Sequence, residues 1–469
     1  MTTIVWFRED LRLADNPALV AATERGSVLP VFILDDHGAR SLGGAARWWL
    51  DHSLRALAAE LKGLLLHRGD PSSILEGLAR DTEATAIFWN RRYGPESIAQ
   101  DTKVKMHLTE SGLEVRTFKG TVLNEPWEIA TGSGTPYKVF TPYWKAARIR
   151  PVASPLSTPA VTLAQHTYDS ETLADWALKP GKPNWAHTWT DHWQPGEAGA
   201  CARLTAFLDE GLETYNRDRD RPDLSATSRL SPHLHFGEIS PRQIHAAVNF
   251  HVDQKPALAS GSQTFMSELG WREFSHHLLY HFPTLVTENW RPTFDAYPWR
   301  VAPKDLATWQ SGKTGYPFID AGLRELWQTG FMHNRVRMVV ASFLVKHLRI
   351  HWREGESWFW NTLVDADAAN NAAGWQWVAG SGADAAPYFR IFNPITQGQK
   401  FDPNGAYVRR WCPELAKLDT RFIHAPWKAS PIELSAASII LGETYPHPMV
   451  DHVEARAAAL EAYQTIKTV

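Results

Sequence analysis

The first 125 residues alternate short apolar runs with longer segments of helical spacing. Runs at Ile4–Phe7, Val28–Leu34, Leu64–His67, Ala86–Trp89 and Val115–Phe118 have the length of buried strands. Between them lie helical segments such as Ala45–Leu61, where Trp48, Leu50, Leu54, Leu57 and Leu61 form an apolar face. Strands that alternate with helices predict a parallel, doubly wound sheet. Residues 126–197 lose this period and are rich in Pro, Thr, Ser and Gly, as in GSGTPY and LKPGKPNW. They predict a connector, long enough to lie across the surface rather than hang as a free tether. From residue 198 the pattern is helical. Arg335–Leu348 shows it, with Val336, Val339, Val340, Phe343, Leu344 and His347 at i, i+3, i+4, i+7 spacing. The expected architecture is an α/β domain over 1–125, a connector over 126–197 and a larger all-α domain over 198–469.

Composition narrows the class. With 469 residues, 44% hydrophobic and 21% charged, the chain has enough apolar content for two or three domains with large cores. No run is long and apolar enough to span a membrane. The opening MTTIVWFREDLR closes on Arg8, Glu9 and Asp10, so it reads as a first strand and not a signal peptide. Cys201 and Cys412 are too few for a disulfide scaffold or a four-cysteine metal site, and a reducing cytoplasm is the expected compartment. A net charge of −3 speaks mildly against general nucleic-acid affinity, but local charge decides binding. Residues 385–412 carry Arg390, Lys400, Arg409 and Arg410 against Asp402 alone, ordinarily a solvated face, but directly after an aromatic-rich segment also suited to a rim for phosphates. The first β–α turn, FREDLRLADNP, has no glycine, so the dinucleotide-binding fingerprint is absent.

The densest chemistry lies at 365–394, DADAANNAAGWQWVAGSGADAAPYFRIFNP. Asp365, Asp367, Asn370, Asn371, Trp375 and Trp377 are too polar together for a core helix and too aromatic for a solvated loop. They suit a cavity for a large, flat, polar-edged ligand. Residues 215–236, YNRDRDRPDLSATSRLSPHLHF, place Thr227, Ser228 and Arg229 beside a helix start at Ser231-Pro232, with Ser231 as the expected N-cap. That suits a phosphate, although an ordinary capped helix would look the same. Glu268, Trp271 and Arg272 in FMSELGWREFSHHL fall within a helical turn and can share a face; alone they would suit a salt-bridged surface. In FMHNRVRM, an arginine of the Asn334–Met338 segment is a candidate ion-pair partner for Asp365 or Asp367. No metal site is expected, since few further ligands stand near those aspartates. Most of the 22 tryptophans are expected to be packing residues.

In order, TSRLSP, ELGWREF, GKTGYPFIDAGLRELWQTGFMHNRVRM and DADAANN with GWQW and YFRIFNP resemble the DNA photolyase/cryptochrome family. The resemblance runs from VWFREDLRLADNPAL at 5–19 to YPHPMVDHVEARAAALEAY at 445–463. It is strongest to class I cyclobutane pyrimidine dimer photolyases.

The resemblance implies FAD, held in a U shape inside the helical domain. Tyr215, Thr227, Ser228, Arg229, Leu230 and Ser231 would bind its phosphate region. Asn334, Arg337, Asp365, Asp367 and Asn371 would line the rest, with Asn371 facing flavin N5, where plant cryptochromes have aspartate. Trp375, Trp352 and Trp299 match an electron-transfer chain running from the flavin to the surface. Glu268, Trp271, Met338 and Trp377 match positions that hold a flipped-out dimer, while Arg219, Arg335 and Arg390 would hold flanking phosphates of UV-damaged DNA. Met338 stands where (6-4) photolyases have a catalytic histidine, which implies the cyclobutane class. The implied activity is that of a deoxyribodipyrimidine photo-lyase, a carbon–carbon lyase driven by blue light and acting as a monomer. Phe331 and Phe265 replace other aromatics found in relatives. A second, antenna chromophore of folate or deazaflavin type remains open: Ser97 stands where folate-binding relatives show glutamate, and Arg47 resembles an arginine of deazaflavin binders.

Two readings compete within the family. A signalling cryptochrome would be expected to carry a long polar tail, which this sequence lacks, and a DASH-type protein would be expected to alter the Trp271/Trp377 pair. Outside it, a flavin oxidoreductase would need a nicotinamide site and a sequence-specific DNA-binding module would need a groove-reading motif.

Overall fold

The computed structural model describes residues 1–35, 40–165, 169–385 and 389–467. Five strands, β1 (Thr2–Phe7), β2 (Ser27–Leu34), β3 (Leu65–Arg68), β4 (Ala86–Asn90) and β5 (Glu114–Phe118), form one parallel sheet in the order β3-β2-β1-β4-β5. The central strand β1 is buried from Thr3 to Phe7, as a strand covered on both faces must be. Ile4, Trp6, Leu29, Val31 and Ile33 share a core with Leu75, Leu78, Trp89, Val104 and Leu108. Helices around the sheet start where the chain supplies caps and prolines. Asn16 accepts from Leu19 N at 3.2 Å before Pro17–Thr23, and Asp70 accepts from Ser73 N at 2.9 Å before Pro71–Thr82.

The described chain divides into two compact units that do not follow the 1–125, 126–197 and 198–469 partition. The first comprises Met1–Glu213, Ser228–Pro283 and Val364–Ala369; the second comprises Thr214–Thr227, Thr284–Leu363 and Asn370–Val469. Non-local hydrogen bonds, invisible to periodicity, tie the 228–283 segment to the sheet portion of the first unit. Leu11 N donates to Phe236 O at 3.0 Å, and Arg12 donates to Gly237 O at 2.8 Å. The Glu273 carboxylate accepts from Leu123 N at 2.8 Å and Asn124 N at 3.1 Å. Helix Gly44–Leu61 is accordingly buried beyond its predicted face: Trp49 is also inside, donating to Glu238 at 2.9 Å.

The connector does lie across its unit. Val28 N donates to Thr162 O at 2.8 Å and Ala164 N donates to Val28 O at 2.9 Å, so Leu163 bridges to β2. Connector residues Phe140–Ala147 form a helix whose Phe140 ring stacks on Trp271, centroids 3.8 Å apart.

In the second unit every predicted apolar position of 335–348 is buried, but the segment is not one regular helix. The α-helix Asn334–Ser342 gives way to a π-turn at Phe343–His347, with Leu348 N bonded to Phe343 O at 3.1 Å. The extra residue per turn carries Lys346 inward. Only 1% exposed, it donates to Ala379 O at 2.6 Å and lies over the Phe389 ring. The C-terminal helix His452–Lys467 packs Ala459, Ala462 and Ile466 with Phe294, Tyr297 and Phe389, and Tyr463 stacks on Phe389 at 4.3 Å. Among the described residues no helix is long and apolar enough to cross a membrane.

Candidate functional site

In the first unit, the segment at 228–231 is shaped by one unusual residue. Arg229 adopts a left-handed backbone, φ 50°, which disfavours any side-chain-bearing residue by about 1–2 kcal/mol. Ser231 does not act as the expected N-cap. The helix Ser231–His235 begins at Ser231 itself, with Leu230 in helical conformation before it and no side-chain cap. The Ser231 hydroxyl instead donates to the Asp365 carboxylate at 2.5 Å, a charge-assisted bond that a capping role could not supply. Asp367 lies 3.6 Å from His276 Nε2. Burial pushes the His276 imidazole below its ordinary range, against the pull of Asp367, so the ring is neutral near pH 7.

Helix Ala259–His281 carries Glu268, Trp271 and Arg272. Trp271 is half-buried, with one indole face stacked on Phe140 and the Phe274 ring meeting it edge-on at 5.9 Å. Arg272 leaves the expected trio: it donates to Thr121 O at 3.0 Å and sits 3.4 Å from the buried Glu273. Burial raises Glu273 to about 7 despite the nearby Arg272 and two backbone donors. Glu268 is half-buried.

The polar atoms of this unit fit a large ligand with many hydrogen-bonding edges. His235 Nδ1 and His276 Nε2 are buried without a hydrogen-bond partner among the described residues. Buried nitrogens of this kind are normally satisfied, and with Ser228, Ser231, Asp365 and Asp367 they form a donor and acceptor set suited to a flavin nucleotide.

In the second unit, helix Ala368–Ala379 sets Asn371 and Trp375 one turn apart. Asn371 Nδ2 donates to Glu356 O at 3.0 Å and to its carboxylate at 2.7 Å. Trp375 is buried over Gly355, where an added Cβ would lie 2.1 Å from the indole. Between the two tryptophans of GWQW, Gln376 is fully buried. It donates to Leu285 O at 2.7 Å and Glu288 O at 2.8 Å, and accepts from Trp290 N at 2.8 Å. Trp377 remains half-buried.

Trp352 is buried and donates from Nε1 to Asn289 Oδ1 at 2.8 Å. The His351 ring neighbours both this indole and Trp299, with centroids 5.7 Å from Trp352 and 4.8 Å from Trp299. Trp299 is half-buried and donates to Phe294 O at 3.1 Å.

The other predicted residues of this unit are placed as follows. Tyr215 is buried with the Arg219 guanidinium 5.6 Å from its ring centroid, and Thr227 is half-buried. Asn334 is exposed at the start of its helix and Met338 follows one turn later, half-buried. Arg335, one of the two arginines of the segment offered as partners for Asp365 or Asp367, pairs with Asp220 at 2.6 Å. Arg337 donates to Met332 O at 2.7 Å. Arg390 is exposed, 4.9 Å from the Phe392 centroid, while Tyr388 lies outside the described residues. Of the predicted basic rim, Arg409 is engaged internally, bonding Leu418 O at 2.8 Å and Ala416 O at 3.1 Å. In the first unit, Arg47 is exposed and donates to Ala177 O at 3.3 Å, and Ser97 sits in the first turn of helix Pro95–Glu110.

Sequence inspection missed Glu356, Gly355, His351, Gln376 and His276. The first three lie in HWREGE, beside a tryptophan already singled out, and a buried acid one turn beyond it was the available signal.

The profile of the FAD binding domain of DNA photolyase matches residues 265–465, and that of DNA photolyase matches residues 3–160. A deoxyribodipyrimidine photo-lyase of Agrobacterium fabrum (strain C58) is 51% identical, covering 99% of this chain and 98% of that protein. Cryptochrome-1 of Arabidopsis thaliana is 38% identical, covering 98% of this chain and 70% of its own length. The crystal structure of a bacterial class III photolyase from Agrobacterium tumefaciens superposes with a TM-score of 0.96 at 50% identity, over 100% of this chain and 98% of that one.

Proposed function

The chain belongs to the DNA photolyase/cryptochrome family and carries its FAD-binding domain, and from that premise we propose that it repairs cyclobutane pyrimidine dimers in DNA with light. The sequence resembles class I enzymes, but the class III photolyase at 50% identity favours placing this chain in class III. Its proposed setting is a monomer in the cytoplasm.

The observation that carries this reading is the Asn371–Glu356 contact. Both Glu356 atoms are acceptors, so the Asn371 NH2 must face them and its Oδ1 points elsewhere. A neutral amide beside flavin N5 does not repel a reduced, anionic ring as a carboxylate would. Bound and reduced, FAD supplies on illumination the electron that splits the dimer and recovers it afterwards.

The chain's own residues do the rest. Tyr215, Thr227, Ser228, Arg229, Leu230 and Ser231 hold the phosphate region. Asn334, Arg337, Asp365, Asp367 and Asn371 orient the remainder, with Ser231 fixing Asp365. Trp375, Trp352 and Trp299 relay electrons inward to restore the reduced state, and His351 neighbours both of the outer two. The dimer is received by Glu268, Trp271, Met338 and Trp377. With one indole face covered by Phe140, Trp271 offers the other to a base. Arg219, Arg335 and Arg390 hold phosphates flanking the lesion, and flipping a weakly stacked dimer costs only a few kcal/mol.

The test is repair of an oligonucleotide carrying one thymine cyclobutane dimer by pre-reduced protein, in darkness and under blue light. Dimer loss only in the light is expected. A yellow, photoreducible protein that repairs nothing would instead mark a cryptochrome.

A further inference from the structure

We propose that Trp193, at the end of the connector, is a positioning residue for the phosphate region of the cofactor, acting through Arg229; this rests on the FAD reading above. The Arg229 guanidinium lies over the Trp193 ring, 4.4 Å from its centroid, and Arg203 lies 5.0 Å from the same ring. Arg203 is itself tied to the connector, donating to His192 O at 3.1 Å. Trp193 is 4% exposed, so this is an interior platform and not a surface contact.

The platform is rigid because it is the end of a run of indoles. Trp193 meets Trp49 at 5.2 Å, and Trp49 is fixed by its hydrogen bond to Glu238. Trp48 precedes Trp49 in helix Gly44–Leu61 and meets Trp189 at 5.3 Å, which in turn meets Trp185 at 5.1 Å. All five rings come from the connector and helix Gly44–Leu61.

Two features of Arg229 make such a platform necessary. Its backbone is left-handed, a conformation that persists only when surroundings over-determine it. Its guanidinium is planar, and a contact with an aromatic face takes up none of its N–H groups, the donors a phosphate needs. Trp193 therefore holds the side chain in place without using its donors.

The experiment is FAD binding to apoprotein, followed by flavin fluorescence, for the wild type, Trp193→Phe, Trp193→Leu, Arg229→Gln and the Trp193→Leu/Arg229→Gln double variant. Trp193→Leu should weaken FAD binding about tenfold, the scale of a partly desolvated cation–π contact. Trp193→Phe should restore most of the affinity. The double variant should bind no more weakly than Arg229→Gln alone, which a general loss of packing would not produce. Equal affinity for wild type and Trp193→Leu, or additive losses in the double variant, would overturn the proposal. Should Trp193→Leu fail to fold, the decision passes to Trp193→Met, which also removes the aromatic face, alone and with Arg229→Gln; additive losses there again overturn it. A wild-type protein that binds no FAD would overturn the functional reading itself.

Discussion

The side-chain amide of Asn371 donates to both the backbone carbonyl and the carboxylate of Glu356. Two acceptors on one side fix which way the amide faces, and no alternative flip satisfies both. An Asn371→Asp variant would set a carboxylate against the Glu356 carboxylate, so one of them must be protonated or turn away. Steady-state photoreduction to the fully reduced flavin, followed by absorbance, should fall at least about tenfold. Glu356→Ala should lower it less, because the amide is kept but released. Unchanged photoreduction in Asn371→Asp would remove Asn371 from the flavin.

Trp375→Phe should slow photoreduction of oxidised flavin by at least about tenfold while leaving repair by pre-reduced enzyme intact. Equal loss of both would show that Trp375 serves the cofactor site and not electron supply.

Gly355→Ala tests the same ring by packing. The new Cβ would meet the Trp375 indole, which is too rigid and buried to yield. A loss of about 1–3 kcal/mol in stability is expected, together with altered photoreduction. A variant as stable as the wild type would mean the indole can shift.

Glu268→Ala should lower repair about fivefold, the scale of one lost hydrogen bond, with FAD content unchanged. Loss of FAD would assign Glu268 to the cofactor instead of the dimer.

Acid should destabilise the fold below about pH 6.5. Burial pushes His277, His333 and His424 down to about 4 and His347 to about 3. With folded values below the unfolded one, their stability is complete above about pH 6.5 and lost as pH falls toward 4 and 3. At pH 5 each such imidazole accounts for about 2 kcal/mol. Glu273 and Asp402, raised by burial to about 7 and 6, act with the opposite sign, since acidification relieves their burial. With His276 and His351 also lowered to about 4, six imidazoles against two carboxyls predict a net fall in Tm between pH 6.5 and 5, which thermal melts at constant FAD would detect. A rising Tm would mean the carboxyls dominate.

The strands, the Gly44–Leu61 helix and the apolar face of 335–348 were legible because their periods are local. Family motifs likewise marked Asn371 and Trp375 one helical turn apart, since that spacing is a property of the chain. Tertiary structure alone decided the partners. Ser231 turned from capping its helix to bonding Asp365, 134 residues away. Arg335 chose Asp220 over the aspartates that sequence proposed, and Arg272 chose Thr121 and Glu273 over Glu268. The connector, read only as a link lying across the surface, supplied Phe140 to one face of Trp271 and Trp193 to Arg229. The reason is physical: periodicity reports which face of an element avoids water, whereas the partner of a hydroxyl, guanidinium or indole depends on which distant segments close on it.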